Sequence, residues 1–254
     1  MDKISQGRNF MKSDFSQMDN IVSDQQAGKT MPALQNEAGE SSTIINLVKP
    51  GEFNLKESNL LETIKQRRSR RKYTNTPFTL AELSYLLYTT QGVQRVVNNS
   101  GKPYVTMRTV PSAGARHPFE TYLVVLNVED LKPGIYRYLA LDHKLIAENI
   151  AMELSKLKVK VTEMTLGQKF SSTCSALFIW SCVPYRAEWR YSIASHKAML
   201  LDAGHICQNL YLACESIEAG TCAIAAYDQE KVDALLALDG DNEFSVYLAP
   251  AGKV

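Results

Sequence analysis

Five cations in six positions, Arg67-Arg68-Ser69-Arg70-Arg71-Lys72, form the strongest local anomaly in this sequence. Charges so close together repel, and an anion bound among them offsets the repulsion. Arginine forks grip a phosphate through paired donors, and a serine hydroxyl adds a short neutral one. A solvated helix end, its cations facing the C-terminal dipole, explains the same run equally well. On these residues alone both readings stand.

Two further stretches are notable for small side chains. Pro111-Ser112-Ala113-Gly114-Ala115-Arg116-His117-Pro118 would let backbone N–H groups approach a flat or anionic ligand, and Arg116 can add charge. Taken in isolation it also fits a surface turn. Gly220-Thr221-Cys222-Ala223-Ile224-Ala225-Ala226 could lie against a ring system or pack tightly as a core strand. His117, His143, His196 and His205 lack metal-ligand spacing. The five cysteines are odd in number and form no C-x-x-C pair, which fits a reduced, cytoplasmic setting. No dinucleotide fingerprint, P-loop or nucleophile elbow is present.

The elements that must hold these stretches follow from periodicity. Leu60, Leu61 and Ile64 predict a helix over 58–68 that runs straight into the basic cluster. Thr79 followed by Glu82 is a capping-box pattern ahead of Leu83, Leu86 and Leu87, so a second helix should run to Gly92, with a polar loop through Asn98 to Gly101 after it. Phe119–Asn127 and Gly134–Leu139 read as strands joined through Pro133-Gly134. The unbroken apolar run Cys174–Val183, stopped by Pro184, reads as a strand buried on both faces. His196–Glu218 should be one long helix, apolar on more than one side, for which a second subunit is a natural cover. A short helix over 229–238 and a strand over 244–250 complete the chain. Strands interleaved with helices, with a hairpin among them, predict one α+β domain built on a mixed sheet flanked by helices.

Composition sets the outer limits. The chain has 254 residues, 45% of them hydrophobic, and a formal charge of +1, so no overall field recruits nucleic acid or an anionic membrane. The N-terminus carries no apolar signal region, and the longest apolar run is too short to span a bilayer. Residues 1–54 form a polar arm with repeated breakers. Disorder and wrapping of a partner subunit are both open for it. Residues 55–254 carry the patterned domain.

Taken in order, the basic cluster with Tyr73, the Pro111–Pro118 loop, the stretch Leu201-Asp202-Ala203-Gly204-His205-Ile206-Cys207-Gln208-Asn209-Leu210-Tyr211-Leu212-Ala213 and the ending Tyr247-Leu248-Ala249-Pro250-Ala251-Gly252-Lys253 resemble the nitroreductase family of flavoproteins, in particular its SagB-type dehydrogenase branch. The resemblance covers about 58–254 and implies a nitroreductase-like homodimer with FMN at the interface. It implies that Arg67, Ser69 and Arg71, with Arg68 in the same run, meet the phosphate and ribityl chain. Pro111, Ser112, Ala113, Gly114 and Arg116 would belong to the loop reaching the flavin from the partner. N–H groups near Ala225 and Ala226 would meet the ring edge carrying N5, and Lys253 would close the phosphate site. NADH, NADPH or an organic donor would reduce the flavin, and a small organic acceptor would reoxidise it. In azoline-oxidising members of the branch a Lys-Tyr pair precedes the long helix, and here that place reads Arg190-Tyr191. Arginine keeps its charge and is a poor proton acceptor, whereas Tyr191 can still relay a proton. An azoline-type dehydrogenase of peptide tailoring and a non-catalytic flavin-binding homologue are the alternatives.

Overall fold

The structure is a computed structural model that describes residues 2–13, 15–39 and 42–254. Its elements run α1 (Lys3–Phe10), β1 (Thr43–Asn46), α2 (Leu60–Gln66), α3 (Leu80–Gln91), β2 (Val93–Asn99), β3 (Lys102–Arg108), β4 (Phe119–Val125), β5 (Gly134–Leu139), β6 (Lys144–Asn149), α4 (Leu154–Met164), β7 (Ala176–Cys182), α5 (Tyr185–Tyr191), α6 (Ser195–Ser216), β8 (Ala219–Thr221), α7 (Gln229–Leu236) and β9 (Phe244–Lys253). Seven strands form one sheet in the order β1-β6-β5-β4-β7-β9-β8. Its ladders are antiparallel, and it becomes mixed at its edge, where Ser69 bridges Thr221 in parallel.

Strand β7 explains why the sheet needs two helical layers. Its side chains alternate between two cores: Ala176, Phe178 and Trp180 face α3 and α6, while Leu177 and Ile179 face α4 and α7. Every residue of β7 is buried, so the unbroken apolar run is a strand covered on both faces. The capping box of α3 is present with both reciprocal bonds: the Glu82 N–H donates to the Thr79 hydroxyl, and the Thr79 N–H donates to the Glu82 carboxylate. Among the described residues no helix is long and apolar enough to cross a membrane, and no cluster of ligands could hold a metal.

Several elements differ from the expectations. The stretch around Asn98–Gly101 is the tip of the β2–β3 hairpin and not a simple loop; β2 is mostly exposed and β3 buries only Val105, Thr106 and Arg108, so no regular apolar alternation reveals them. The amphipathic helix α4, with Leu157, Val161 and Met164 buried, and strand β6 were not foreseen. Helix α2 forms where expected, but Leu60, Leu61 and Ile64 point outward.

Much of the polar N-terminal segment lies on its own chain. Strand β1 pairs with β6 at the sheet edge. The Gln25 N–H donates to the Trp189 carbonyl at 2.8 Å, and the Trp189 ring N–H donates to the Lys29 carbonyl at 3.0 Å. Arg137 donates to the carbonyls of Asn36 and Glu37, and Arg186 donates to the Asn36 side chain and to Glu120. Polar residues can be held so firmly because each finds a buried partner, which composition does not report.

Candidate functional site

The basic cluster begins where α2 ends. Asn59 caps the helix start, Arg67 is its C-cap, and the chain then straightens so that Arg70 N–H donates to Thr221 O at 2.9 Å beside β8. Gly220 makes this approach possible: a Cβ there would lie 2.6 Å from Arg70 side-chain carbons. Straightening separates the five cations. Arg70 turns inward to Glu215 on α6 at 2.7 Å, and Arg68 folds back onto the carbonyls of Lys65 and Arg67. Arg71 stands over the Phe170 ring at 5.9 Å. Arg67 lies 5.4 Å over the Tyr211 ring, and the Ser69 hydroxyl is 3.1 Å from the Tyr211 hydroxyl.

Tyr211 therefore joins the cluster to the second small-residue stretch, because the Ala223 N–H donates to the same hydroxyl at 2.9 Å. Beyond it, Ile224 is anchored to Leu248 in both directions, while Ala225 and Ala226 are exposed. The Ala226 carbonyl accepts from Gln168, and among the described residues neither Ala225 nor Ala226 donates its N–H to the chain. Arg67, Ser69 and the Ala225-Ala226 turn thus form one surface. Arg71 stands over Phe170, which packs on the core of Ile224 and Tyr227 on either side of that turn, whereas Tyr211 packs on the core shared with α6.

The Pro111–Pro118 loop forms a second group with Arg190 and Tyr191. Gly114, Ala115 and His117 all have positive φ, of 59°, 53° and 45°, a concentration of strain that marks an over-determined loop. Asp202 on α6 holds it, accepting from the Ser112 hydroxyl at 2.6 Å and from the Ala113 N–H at 3.2 Å. Since Ser112 also accepts from the His117 N–H, its hydroxyl is used within the loop. Burial raises the Asp202 carboxyl above its ordinary range, opposed by the Ser112 and Ala113 bonds. Burial also lowers His117 to about 3, with Arg108 adding to the effect.

Arg116 is not at the loop surface. It is 1% exposed, donates to the Arg186 carbonyl at 2.8 Å and lies over the Trp189 ring at 5.0 Å. The Tyr191 hydroxyl sits where a Cβ on Gly114 would be, 2.3 Å away, and Arg190 lies 5.4 Å over the Tyr191 ring. Lys253 belongs to neither group: its ammonium donates to Glu82 at 2.5 Å and to the Ile217 carbonyl at 2.7 Å.

Asp202 and Tyr211, which hold the two groups, are nine residues apart on α6, roughly 14 Å along the axis and half a turn around it. The groups therefore occupy different ends and opposite sides of that helix. The roles of Asp202, Tyr211 and Glu82 were missed by sequence reasoning. The signal available for the first two was their place in the Leu201–Ala213 stretch.

Residues 64–253 match the model of the Nitroreductase family. A nitroreductase-type protein of Methanocaldococcus jannaschii is 28% identical over 202 residues, which are 78% of this chain and 93% of that protein. The trifolitoxin-processing protein TfxB of Rhizobium leguminosarum bv. trifolii is 31% identical over 134 residues, 52% of this chain and only 36% of its own length. Among solved structures, the E. coli microcin synthetase McbBCD complex with truncated pro-MccB17 bound contains a chain of similar fold. The TM-score is 0.61 at 19% identity, over 95% of this chain and 91% of that one.

Proposed function

The chain belongs to the nitroreductase family, and on that premise we propose that it is an FMN-dependent oxidoreductase, working as a homodimer, that passes hydride from NADH, NADPH or an organic donor to a small organic acceptor. The observation that carries the reading is the surface made by Arg67, Ser69 and the Ala225-Ala226 turn. It offers a guanidinium with no ion pair among the described residues, the hydroxyl of an exposed serine, and two exposed alanines whose N–H groups have no acceptor among the described residues. A phosphorylated flavin needs these groups, cations and a hydroxyl for its phosphate and small N–H-bearing residues for its ring edge. When bound, the flavin supplies two-electron redox chemistry. The protein binds it, orients it and governs what reaches it.

In this reading Arg67, Ser69 and Arg71 hold the phosphate and ribityl chain, with Arg68 alongside, and Lys253 exchanges Glu82 for the phosphate. Pro111, Ser112, Ala113 and Gly114 supply a small surface from the second subunit, with Arg116 bracing it from beneath. Tyr191 relays a proton to the acceptor beside the charge of Arg190. Two features support the homodimer. The two groups face away from one another across α6, so one ligand meets both only when a second copy supplies the other loop. Leu60, Leu61 and Ile64 of α2, with Leu200 and Leu201 of α6, are each between 49% and 65% exposed. Water contact at five large apolar side chains is costly, and a second copy would remove it. A cytoplasmic setting goes with five buried, unpaired thiols.

Purified protein should absorb from about 350 to 500 nm and bleach with NADH or NADPH. Colourless protein that takes up no FMN sinks the reading, and a yellow protein inert to every donor and acceptor supports a flavin carrier. A second reading, an azoline-type dehydrogenase of peptide tailoring, is favoured by the likeness to TfxB and the microcin synthetase chain. Arg190 in place of a lysine weighs against it, and oxidation of a thiazoline peptide by the flavin-loaded protein would decide for it.

A further inference from the structure

The Tyr211 hydroxyl has two neighbours with different capacities. The Ala223 N–H, at 2.9 Å, can only donate, so the tyrosine oxygen accepts there. The phenolic proton is left over, and the Ser69 oxygen at 3.1 Å is within its reach. That bond was open in direction when seen alone, but Ala223 supplies a reason for Tyr211 to donate. Ser69 then accepts from Tyr211, and its own proton is free to point away from the protein. The chain of donors runs Ala223 N–H, Tyr211 O–H, Ser69 O–H, and each link strengthens the next. It ends at an exposed hydroxyl beside Arg67, whose guanidinium lies over the face of the same tyrosine ring.

We propose that Tyr211 is the positioning residue of the anion site, fixing Ser69 as an outward donor through its hydroxyl and Arg67 in place through its ring. The inference rests on the flavin reading and adds to it a residue that touches no ligand. Tyr211 is well placed for this work. It stands on α6, and Glu215 one turn further holds Arg70, so one rigid helix braces the segment from Arg67 to Arg70 at two points. The turn at Ala225-Ala226 keeps an anchor of its own when the Tyr211 hydroxyl is lost, because Ile224, between Ala223 and the turn, exchanges bonds of 2.7 and 3.2 Å with Leu248.

The test uses the full-length protein and FMN and riboflavin as probes. Tyr211→Phe keeps the ring and its packing but removes the relay, and should weaken FMN binding roughly three- to tenfold, as losing one oriented hydrogen bond does. Riboflavin, which lacks the phosphate, should lose no more than about twofold, because the ring-side turn has its own anchor. Ser69→Ala should weaken FMN by a similar factor. The double variant should be no weaker than the worse single one, since both break one chain. Losses that multiply, an equal loss for both flavins, or unchanged FMN affinity in Tyr211→Phe would each overturn the proposal while leaving the flavin reading intact. Wild-type protein that binds no FMN overturns the flavin reading and this inference with it.

Discussion

Arg67 and Arg70 show how neighbouring residues of one type acquire different roles. The straight backbone after α2 sends alternate side chains to opposite sides. Arg70 is committed to an ion pair with Glu215, while Arg67 lies over the Tyr211 ring with no ion pair among the described residues. Removing the surface cation should therefore cost binding rather than stability: Arg67→Ala is expected to weaken FMN by at least about 1 kcal/mol, measured by fluorescence titration, with the melting temperature unchanged. An unaltered titration removes Arg67 from the site. His117 makes the opposite case, a titratable group held inside. Its folded value is about 3 against an ordinary 6.5, chiefly from burial. Between those values the unfolded chain binds a proton that the folded one refuses. Its contribution to stability is thus complete above pH 6.5 and lost as pH falls, by up to about 1.4 kcal/mol per unit. Asp202 and Glu243, raised by burial, act in the other direction. His117→Asn, which suits the positive φ, should remove only the histidine's share. Parallel pH-stability curves for the variant and wild type would refute this.

At the scale of elements, helices and strands were legible because their signals are local. The Thr79–Glu82 box and the unbroken apolar run of β7 each lie within a few residues. The β2–β3 hairpin was missed because β2 is mostly exposed and two of the three buried residues of β3, Thr106 and Arg108, are polar. The loop of 111–118 was recognised as small and special, yet its conformation depends on α5 and α6. Gly114 has φ 59° and faces the Tyr191 hydroxyl across the space a methyl would need. Gly114→Ala should accordingly cost about 1 kcal/mol for the left-handed backbone, plus the displacement of Tyr191. Urea unfolding reads the cost, and a midpoint equal to wild type would show that the loop absorbs the methyl freely.

For the whole molecule, the central question is what meets the outward face of α2 and α6. Leu201→Asp puts a charge on the exposed apolar part of α6, where a lone chain would tolerate it in water. If two copies share the flavin sites, sedimentation should show a monomer, and FMN affinity should fall at least about tenfold, because each site loses the loop from its neighbour. A monomer that keeps its flavin would refute the shared site, as would a flavin-loaded wild-type protein that sediments as a monomer, and a variant that stays dimeric would remove Leu201 from the interface. Periodicity, helix caps and the density of charge at 67–72 are properties of neighbours in the chain. Such local signals are enough to read helices α2, α3, α6 and α7, strands β4, β5, β7 and β9, the α+β class and the unusual basic cluster, but not α4, β6 or the β2–β3 hairpin. The folded chain alone reveals that Ser69 meets Tyr211, 142 residues further on, that Lys253 is held by Glu82, and that Lys29 and Asn36 meet Trp189 and Arg186. These pairings depend on closing long loops around two packed cores, and no short-range pattern encodes which distant partner will be waiting there.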